Sequence, residues 1–244
     1  MTILYHAEPT LYSLKPLIVL EELGVDYERR QIAAEPVETA VPALVGRIDQ
    51  QIRIEGDGPV LIDNGQMFTS SFFILEYLAQ AYPQGRLAPA DPYQYYRAQA
   101  IGQLVAGMIA PFVSALAVAT HRPPAPQKPV PGPAERQMAW DQASRGDGDT
   151  AQYITRLEPT LPKVAAMLGT QNWFLGDYSI ADIDVFAMIR DLPGLAPGLL
   201  ERTAPALSDF CARMEERPAV QRALGHGWGT QTPYLPGPEI SRWG

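Results

Sequence analysis

The sequence predicts an α/β domain over residues 1–81, followed by an all-helical domain over residues 93–244. The first part alternates short apolar runs with one-sided helical patterns. Within it, Asn64-Gly65 stands between two apolar runs, which is a strong hairpin signal. Residues 82–92 hold three prolines and predict a linker. Beyond this linker the apolar positions recur with the helical period.

Turn and helix-end signals define the elements of the α/β domain. Gly24 ends the first helix as a C′ residue, because glycine adopts the left-handed conformation found there. The predicted elements are a strand at 2–7, a helix at 13–23, a strand at 27–32, a helix at 37–48, two strands around Asn64-Gly65, and a helix capped by Ser70 or Ser71.

Prolines set the expected boundaries of the helical domain. Pro111 would clash with the carbonyl of Gly107, so a long helix over residues 94–120 should be kinked there. Residues 121–133 hold six prolines and predict an exposed, semi-rigid loop. The remaining predicted elements are helices at 150–168, 179–190 and 204–224 and a packed tail at 225–244. Pro159 and Pro162 oppose an unbroken helix over residues 150–168.

Ser179 and Asp182 stand three residues apart, just ahead of an apolar run. The Ser179 hydroxyl can accept a hydrogen bond from the amide of residue 182. In return, the Asp182 carboxylate can reach back to the amide of residue 179. This is a capping box with Asp in place of the usual Glu or Gln, and it predicts the start of a helix.

Charge and composition exclude several classes of function. The formal net charge of −8 argues against nucleic acid or an anionic membrane as the main partner. Residues 104–120 are the most apolar stretch, but Gly107 and Pro111 interrupt them and favour a buried helix over a membrane span. The single cysteine, Cys211, cannot form an internal disulfide, and the first residues lack a signal-peptide pattern, so we expect a cytoplasmic protein. The histidines lack metal-ligand spacing, so no metal site is predicted.

Several residues in order along the chain resemble the glutathione S-transferases. They are Ser13, Pro59, Ser71 and the Ser179/Asp182 cap, together with the segments 175–182 and 217–220. The resemblance covers nearly the whole chain. It implies a thioredoxin-like N-terminal domain that binds glutathione and an all-helical domain that supplies the second-substrate site. It also implies a dimer, most simply a homodimer, with a heterodimer as the alternative.

Two features are closer to the bacterial glutathione-dependent β-etherases, which cleave β-aryl ethers of lignin-derived compounds. They are the segment Ser13-Leu14-Lys15-Pro16-Leu17 and the long proline-rich insertion between the first two helices of the second domain. This resemblance implies attack of a glutathione thiolate on an aromatic substrate, with release of a phenol. The alternatives are a conjugating transferase for halogenated aromatics, a glutathione-dependent reductase, and a non-catalytic subunit or ligand-binding module. The position of Cys211 does not suit the reductase.

Ser13 follows the first strand near the N-terminus of the first helix, and the resemblance implies that it is the catalytic hydroxyl. A thiolate there gains a hydroxyl donor and the positive end of the helix, each contributing about 1 kcal/mol. Together they would lower the thiol pKa by about one to two units. The alternative is that Ser13 only caps the helix. Tyr12 and Tyr5 are rival hydroxyls, although Tyr5 suits the core better.

The resemblance also implies the residues that hold glutathione. The backbone of Gly58, ahead of Pro59, would pair with the cysteinyl part, and the start of the helix at Ser71 would bind the γ-glutamyl carboxylate. Ser70 stands where the family usually has an acidic residue or Gln, so the ammonium group of glutathione loses an expected partner. Lys15 is either a contact for a ligand carboxylate or a solvated surface lysine. The alternative for Pro59 is a plain proline at the edge of the sheet. The alternative for Ser70 and Ser71 is that they only cap the helix.

Aromatic and methionine side chains are candidates for the second-substrate pocket. The candidates are Tyr12, Met108, Phe112, Trp140, Trp228 and Tyr234. Such side chains suit an aromatic ligand, but they also serve as ordinary core residues, and both interpretations remain open at this point.

Overall fold

The computed structural model describes residues 1–7, 11–32, 59–121 and 150–225. The expected helix at 37–48, the segment at 122–133 and the tail at 226–244 lie outside these residues. The described parts comprise one mixed sheet with its helices and a set of helices packed beside it.

A four-stranded mixed sheet with the order β2-β1-β3-β4 forms the centre of the N-terminal domain. Its strands are β1 (Thr2–Ala7), β2 (Tyr27–Ile32), β3 (Val60–Asp63) and β4 (Gln66–Thr69). β2 runs parallel to β1, while β3 pairs antiparallel with both β1 and β4. The helices of this domain are α1 (Leu11–Leu23) and α2 (Ser71–Ala81). This is the thioredoxin-like arrangement that the sequence analysis predicted.

The turn between β3 and β4 lies at the predicted hairpin. Asn64 and Gly65 have φ values of 49° and 76°, the left-handed region that a two-residue hairpin turn requires. Asp63, at the end of β3, is buried and accepts hydrogen bonds from Thr2 Oγ1 at 2.6 Å and Tyr77 Oη at 2.8 Å. These bonds fasten the hairpin to β1 and α2.

The described part of the helical domain consists of helices α3 to α11, preceded by a 3₁₀ turn at Pro83–Gly85. They are α3 (Pro92–Met108), α4 (Ala110–His121), α5 (Thr150–Leu157), α6 (Leu161–Leu168), α7 (Ile180–Ile189), α8 (Leu192–Leu195), α9 (Leu199–Thr203), α10 (Pro205–Glu215) and α11 (Pro218–Gly225). The prediction lacked α8 and α9, because helices this short show no readable period.

At Pro111 the expected kink takes the form of a one-residue break, at Ile109, between α3 and α4. Pro111 has no N–H to donate to the carbonyl of Gly107, so the ladder of α3 cannot continue past this point. The Phe112 and Val113 amides donate instead to the carbonyl of Ile109, at 3.1 and 3.0 Å, and thereby start α4.

Prolines also divide the helices predicted at 150–168 and 204–224. Pro159 lies between α5 and α6, and α11 begins at Pro218, since the first turn of a helix needs no N–H from proline. The break at Pro159 agrees with the predicted effect of that proline, whereas the expectation of one continuous helix over residues 204–224 is wrong.

Among the described residues, Pro92–Ala117 form one stretch that is long and apolar enough to cross a membrane by length and composition alone. Its apolar window has a mean hydropathy of 1.8, but 61% of that window is buried inside the protein. Helices in the core of a folded domain have the same character.

Helix α7 begins at the predicted capping box. The Ala181 amide donates to Ser179 Oγ at 3.3 Å, and the Asp182 carboxylate accepts from the Ser179 amide at 2.9 Å. The other carboxylate oxygen accepts from the Phe174 amide at 2.9 Å, so Asp182 also fixes the chain that precedes the helix. Burial raises the pKa of Asp182 to about 6, against the lowering effect of these hydrogen bonds.

Helices α2 and α3 approach each other closely at Gly102. A Cβ atom at this position would lie 2.2 Å from Cε2 of the Phe72 ring, far inside van der Waals contact. Only glycine therefore lets the Phe72 ring rest directly against the backbone of α3, and this contact joins the two domains.

The raised pKa of Asp182 predicts a pH dependence of stability. Between the reference value of 3.8 and the folded value of about 6, the folded protein holds a proton that the unfolded chain has lost. Lowering the pH from 7 to 4 should therefore stabilise the protein through this group, by about 2 kcal/mol. Urea titrations of the wild type and of Asp182→Asn across this range should show the wild type gaining stability relative to the variant. A difference that stays constant with pH would contradict the prediction.

Candidate active site

The strand registers bring three chain segments together at one end of the strands, which we call the sheet edge. Tyr5, near the end of β1, pairs with Val60 at the start of β3, and Val60 pairs with Thr69 at the end of β4. The chain therefore leaves β1 toward α1, enters β3 after Pro59, and leaves β4 toward α2 at the same edge. Each of these segments carries residues that the sequence analysis assigned to glutathione.

Ser13 lies in the first turn of α1 as the third residue of the helix. The helix begins at Leu11, two residues earlier than predicted, so the interpretation of Ser13 as the N-cap is wrong. Because Cα–Cβ bonds in a helix tilt toward its N-terminus, the Ser13 hydroxyl leans toward the positive end of α1. The residue has no exposed surface.

Ser70 has a strained backbone at the start of α2. Its φ of 69° with ψ of 121° is a conformation that costs a non-glycine residue roughly 1–3 kcal/mol, and such strain concentrates at ligand sites. Ser70 occupies the N-cap position, but its side chain makes no capping hydrogen bond. Ser71, the first helical residue, is fully buried. The amides of this first turn are suited to hold a carboxylate.

The other predicted residues are spread over described and undescribed parts of the chain. Pro59 is buried directly ahead of β3. Met108 ends α3 and is 48% exposed, while Phe112 is half-buried in the first turn of α4. The predicted residues outside the described part are Gly58, Trp140, Trp228 and Tyr234.

Lys15 is buried, and its ammonium group pairs with the carboxylate of Asp184 on α7. The two side chains are only 3% and 4% exposed. The interpretation of Lys15 as a solvated surface lysine is therefore wrong. We also revise the prediction that Lys15 contacts a carboxylate of the ligand, because the Asp184 carboxylate balances the charge of Lys15. The pair compensates two charges removed from water and ties α1 to the helical domain.

Tyr12 lies in the first turn of α1 and faces the helical domain. Its Oη lies 3.2 Å from Ser114 Oγ on α4, and either hydroxyl can be the donor. The Lys15 Nζ lies 6.0 Å from the centroid of its ring. The rival Tyr5 is a buried residue of β1, and its hydroxyl accepts a hydrogen bond from Nη1 of the exposed Arg30 at 2.8 Å.

One face of α1 carries three polar contacts to the helical domain, which we call the interdomain seam. The contacts are Tyr12–Ser114, Lys15–Asp184 and Glu22–Arg217. The last is bidentate, with Arg217 nitrogens 2.7 and 3.0 Å from the two Glu22 oxygens. Lys15 and Glu22 follow Tyr12 by three and ten residues, so the three side chains lie on one face of α1. The interdomain seam therefore runs the length of this helix.

Sequence reasoning missed Ser114 and Asp184. Asp184 stands inside an apolar run, and a charge at a position that must be buried requires a partner of opposite sign. Lys15, which stands among the apolar residues of α1 between Leu14 and Leu20, carries the same signal. The two signals could have been combined, but nothing in the sequence shows which of the acidic residues meets Lys15.

Cys211 lies on α10, outside the three segments that meet at this site. It is half-buried in α10, and burial together with the charge of Glu215 raises the pKa of its thiol to about 12, so it stays protonated at neutral pH. Over the described ranges, His, Cys, Asp and Glu side chains form no group of three that could hold a metal ion.

Two sequence profiles of one family match the chain. The profile "Glutathione S-transferase, N-terminal domain" matches residues 1–80, and "Glutathione S-transferase, C-terminal domain" matches residues 138–225. The chain belongs to the glutathione S-transferase family. The mixed sheet and the helical domain are those of the glutathione S-transferase fold, as the sequence analysis predicted.

Similar proteins extend over most of the chain. Protein LigF of Sphingobium sp. strain SYK-6 is 28% identical, over 89% of this chain and 91% of its own. The crystal structure of the beta-etherase LigF from that strain has a TM-score of 0.66 at 24% identity, covering 92% of this chain and 99% of its own. A glutathione transferase from Burkholderia graminis, with two glutathione molecules bound per subunit, has a TM-score of 0.67 at 26% identity, covering 93% of this chain and 88% of its own.

The buried pair in the interdomain seam predicts an asymmetric response to mutation. Lys15→Met leaves the Asp184 carboxylate buried without its cation and should lower the free energy of unfolding by about 3–5 kcal/mol. Lys15→Met combined with Asp184→Leu removes both charges and should recover most of this loss. Denaturant titration of the wild type, both single variants and the double variant measures the coupling. Additive losses would show that the two side chains do not interact.

Proposed function

We propose that this protein is a glutathione transferase whose bound thiolate attacks an aromatic electrophile. The shared sheet edge carries the proposal, because it gathers the segments around Ser13, Pro59 and Ser70-Ser71 that the family uses for glutathione. Membership of the family and the glutathione-bound relative from Burkholderia graminis support the same co-substrate.

Within this proposal each segment has its own part. The first turn of α2, at Ser71, holds the γ-glutamyl carboxylate by its amides. The backbone of Gly58, ahead of Pro59, pairs with the cysteinyl part as one strand pairs with another. Ser13 donates its hydroxyl to the sulfur, and the positive end of α1 adds to the stabilisation of the thiolate.

The proposed second substrate is a β-aryl ether beside an activating carbonyl, as in lignin-derived compounds. Its support is the relative LigF, described as a beta-etherase, together with the Ser13-Leu14-Lys15-Pro16-Leu17 segment. The glutathione sulfur forms a bond to the carbon that carries the ether oxygen, and the bond between that carbon and the oxygen breaks. The phenolate that leaves takes up a proton, and glutathione ends as a thioether. A phenolate is a fair leaving group, because the pKa of a plain phenol is about 10. A conjugating transferase for halogenated aromatics uses the same thiolate on a different leaving group.

Two observations favour a second candidate, a non-catalytic subunit or ligand-binding module. Ser13 has no exposed surface, and Ser70 replaces the acidic residue that would meet the ammonium group of glutathione. Calorimetric titration with glutathione to millimolar concentrations separates the two candidates. No binding heat would favour the second candidate and contradict the transferase.

We also propose a cytoplasmic dimer, most simply a homodimer, with a heterodimer as the alternative. Three large aromatic side chains, Phe73 on α2 and Tyr93 and Tyr96 on α3, are more than half exposed, as is common at interfaces between subunits. Sedimentation of the purified chain should give twice its mass of 26.8 kDa. A Phe73→Asp variant should shift it toward the monomer. Sedimentation of the wild type as a monomer would exclude the homodimer.

The catalytic role of Ser13 is tested with glutathione and a β-aryl ether ketone, by measuring the phenol released. Ser13→Ala should lower kcat/KM at least about tenfold, because a charge-assisted hydrogen bond to the thiolate contributes roughly 1.5–3 kcal/mol. Ser208→Ala, which removes a hydroxyl from α10, is the matched control and should keep wild-type activity. A loss smaller than tenfold would remove Ser13 from the central role.

A further inference from the structure

The buried pair of Lys15 and Asp184 lies close to the candidate nucleophile site, since Lys15 follows Ser13 by two residues. We propose that the two residues together set how readily a thiol beside Ser13 loses its proton, with Asp184 cancelling most of the effect that the Lys15 charge would have alone. The inference rests on the proposed function for its reaction, but the effect of the pair on a thiol at this position can be measured without glutathione.

The Lys15 ammonium lies beside the first turn of α1. Lys15 stands about 3 Å beyond Ser13 along the helix axis, and helical side chains lean toward the N-terminus of their helix. The Lys15 Nζ lies 6.0 Å from the centroid of the Tyr12 ring, in agreement with this direction. A sulfur beside Ser13 would therefore lie roughly 10 Å from the ammonium.

Solvent does not screen the charges of this pair. The two side chains are only 3% and 4% exposed. Across about 10 Å of protein with an effective dielectric constant of about 20, one uncompensated charge shifts the pKa of a thiol by about one unit. Lys15 alone would therefore increase the ionisation constant of the thiol about tenfold.

Asp184 places the opposite charge against the same ammonium. Its Oδ1 pairs with Lys15, while its Oδ2 lies 3.2 Å from the position that a Cβ atom at Gly102 on α3 would take. Because the two charges are in contact, their distances from Ser13 differ little, and their effects on a thiol there nearly cancel. The helix end and the Ser13 hydroxyl are then the main stabilising influences on the thiolate.

This cancellation suits a thiolate that attacks carbon. The helix end and one charge-assisted hydrogen bond would bring a thiol pKa from about 8.5 to about 7. A further fall adds little thiolate at neutral pH, whereas the intrinsic nucleophilicity of a thiolate falls with its pKa. The best attacking thiol has a pKa near the ambient pH, so an uncompensated Lys15 would pass this optimum.

Other ionisable groups among the described residues surround α1, and they stay unchanged in the variants of Lys15 and Asp184. They set the absolute acidity of a thiol at this site, whereas differences between the variants report the pair. These groups are Tyr12, Glu21 and Glu22 on α1 itself, Tyr5 and His6 on β1, Glu76 and Tyr77 on α2, Asp182 on α7, and Arg217 and Arg222 beside Glu22 and Glu21.

The test places a thiol at the site, with Ser13→Cys and Cys211→Ala as the parent protein, and follows the ultraviolet absorbance of the thiolate against pH. Asp184→Asn leaves the ammonium uncompensated and should lower the pKa of the introduced thiol by about one unit. Lys15→Met leaves the carboxylate uncompensated and should raise this pKa by about as much. Lys15→Met combined with Asp184→Leu should return it to within about 0.3 unit of the parent.

Opposite signs separate this effect from a loosened helix, which would shift the pKa in the same direction in both single variants. Glu22→Gln is the matched control, because it breaks the ion pair with Arg217 about 13 Å further along α1 and should shift the pKa by less than about 0.3 unit. Circular dichroism defines the pH range in which each variant is folded. If a single variant does not fold, the double variant still tests the cancellation, which a shift of more than about half a unit would overturn.

Turnover with glutathione gives a second measurement, with Ser13 in place. Asp184→Asn should move the midpoint of the pH profile of kcat/KM down by about one unit and lower its plateau about threefold, because the thiolate is less nucleophilic. Asp184→Glu keeps the charge and should leave the midpoint close to that of the wild type.

The outcomes distinguish this inference from the proposed function. Shifts of the introduced thiol in the same direction in both single variants, or no shift in either, would overturn the role of the pair. Absence of glutathione binding to the wild type would overturn the transferase, while opposite shifts of the introduced thiol would still support the pair. Opposite shifts without any change in the pH profile of turnover would overturn the placement of the glutathione sulfur beside Ser13.

Discussion

The position of α1 depends on the buried ion pair between Lys15 and Asp184. Helix α1 packs between the sheet and the helical domain, and Lys15 meets Asp184 where both charges are almost completely removed from water. Removing either partner from the folded protein would leave the other charge uncompensated in a low-dielectric interior, at a cost of several kcal/mol. The first turn of this helix carries Tyr12 and Ser13. The same pair that joins the domains therefore fixes the first turn of α1 relative to the helical domain.

Helix α7 supplies the other half of this constraint. Every residue of Ile180–Ile189 is buried, yet the helix contains two carboxylates, Asp182 and Asp184. Asp182 serves its own helix start and the amide of Phe174, whereas Asp184 serves the N-terminal domain. A helix with two buried acids is tolerated because each acid has a defined partner. These partners determine both where α7 begins and where it packs.

The sheet edge concentrates features that do not help stability by themselves. Ser70 holds a strained backbone, Ser13 places a hydroxyl inside a helix turn, and the three segments meet only because β3 and β4 pair with β1 in their observed registers. Such costs persist where the surrounding structure fixes them, and they are concentrated at functional sites in proteins generally. The interdomain seam extends the same region toward the helical domain through Tyr12 and Ser114.

The sequence by itself determined the elements whose signals are local. The hairpin at Asn64-Gly65, the capping box at Ser179 and Asp182, and the helix end at Gly24 depend on the conformational preferences of a few neighbouring residues, and each lies where the sequence predicts it. The prolines at 111 and 159 marked breaks that the sequence analysis anticipated, whereas Pro218 divided a helix that the periodicity had joined. Only the tertiary structure decided that Lys15 is buried with Asp184 and that Tyr12 meets Ser114. These partners are separated by more than 100 residues, and their pairing depends on the packing of two domains, which no local propensity encodes.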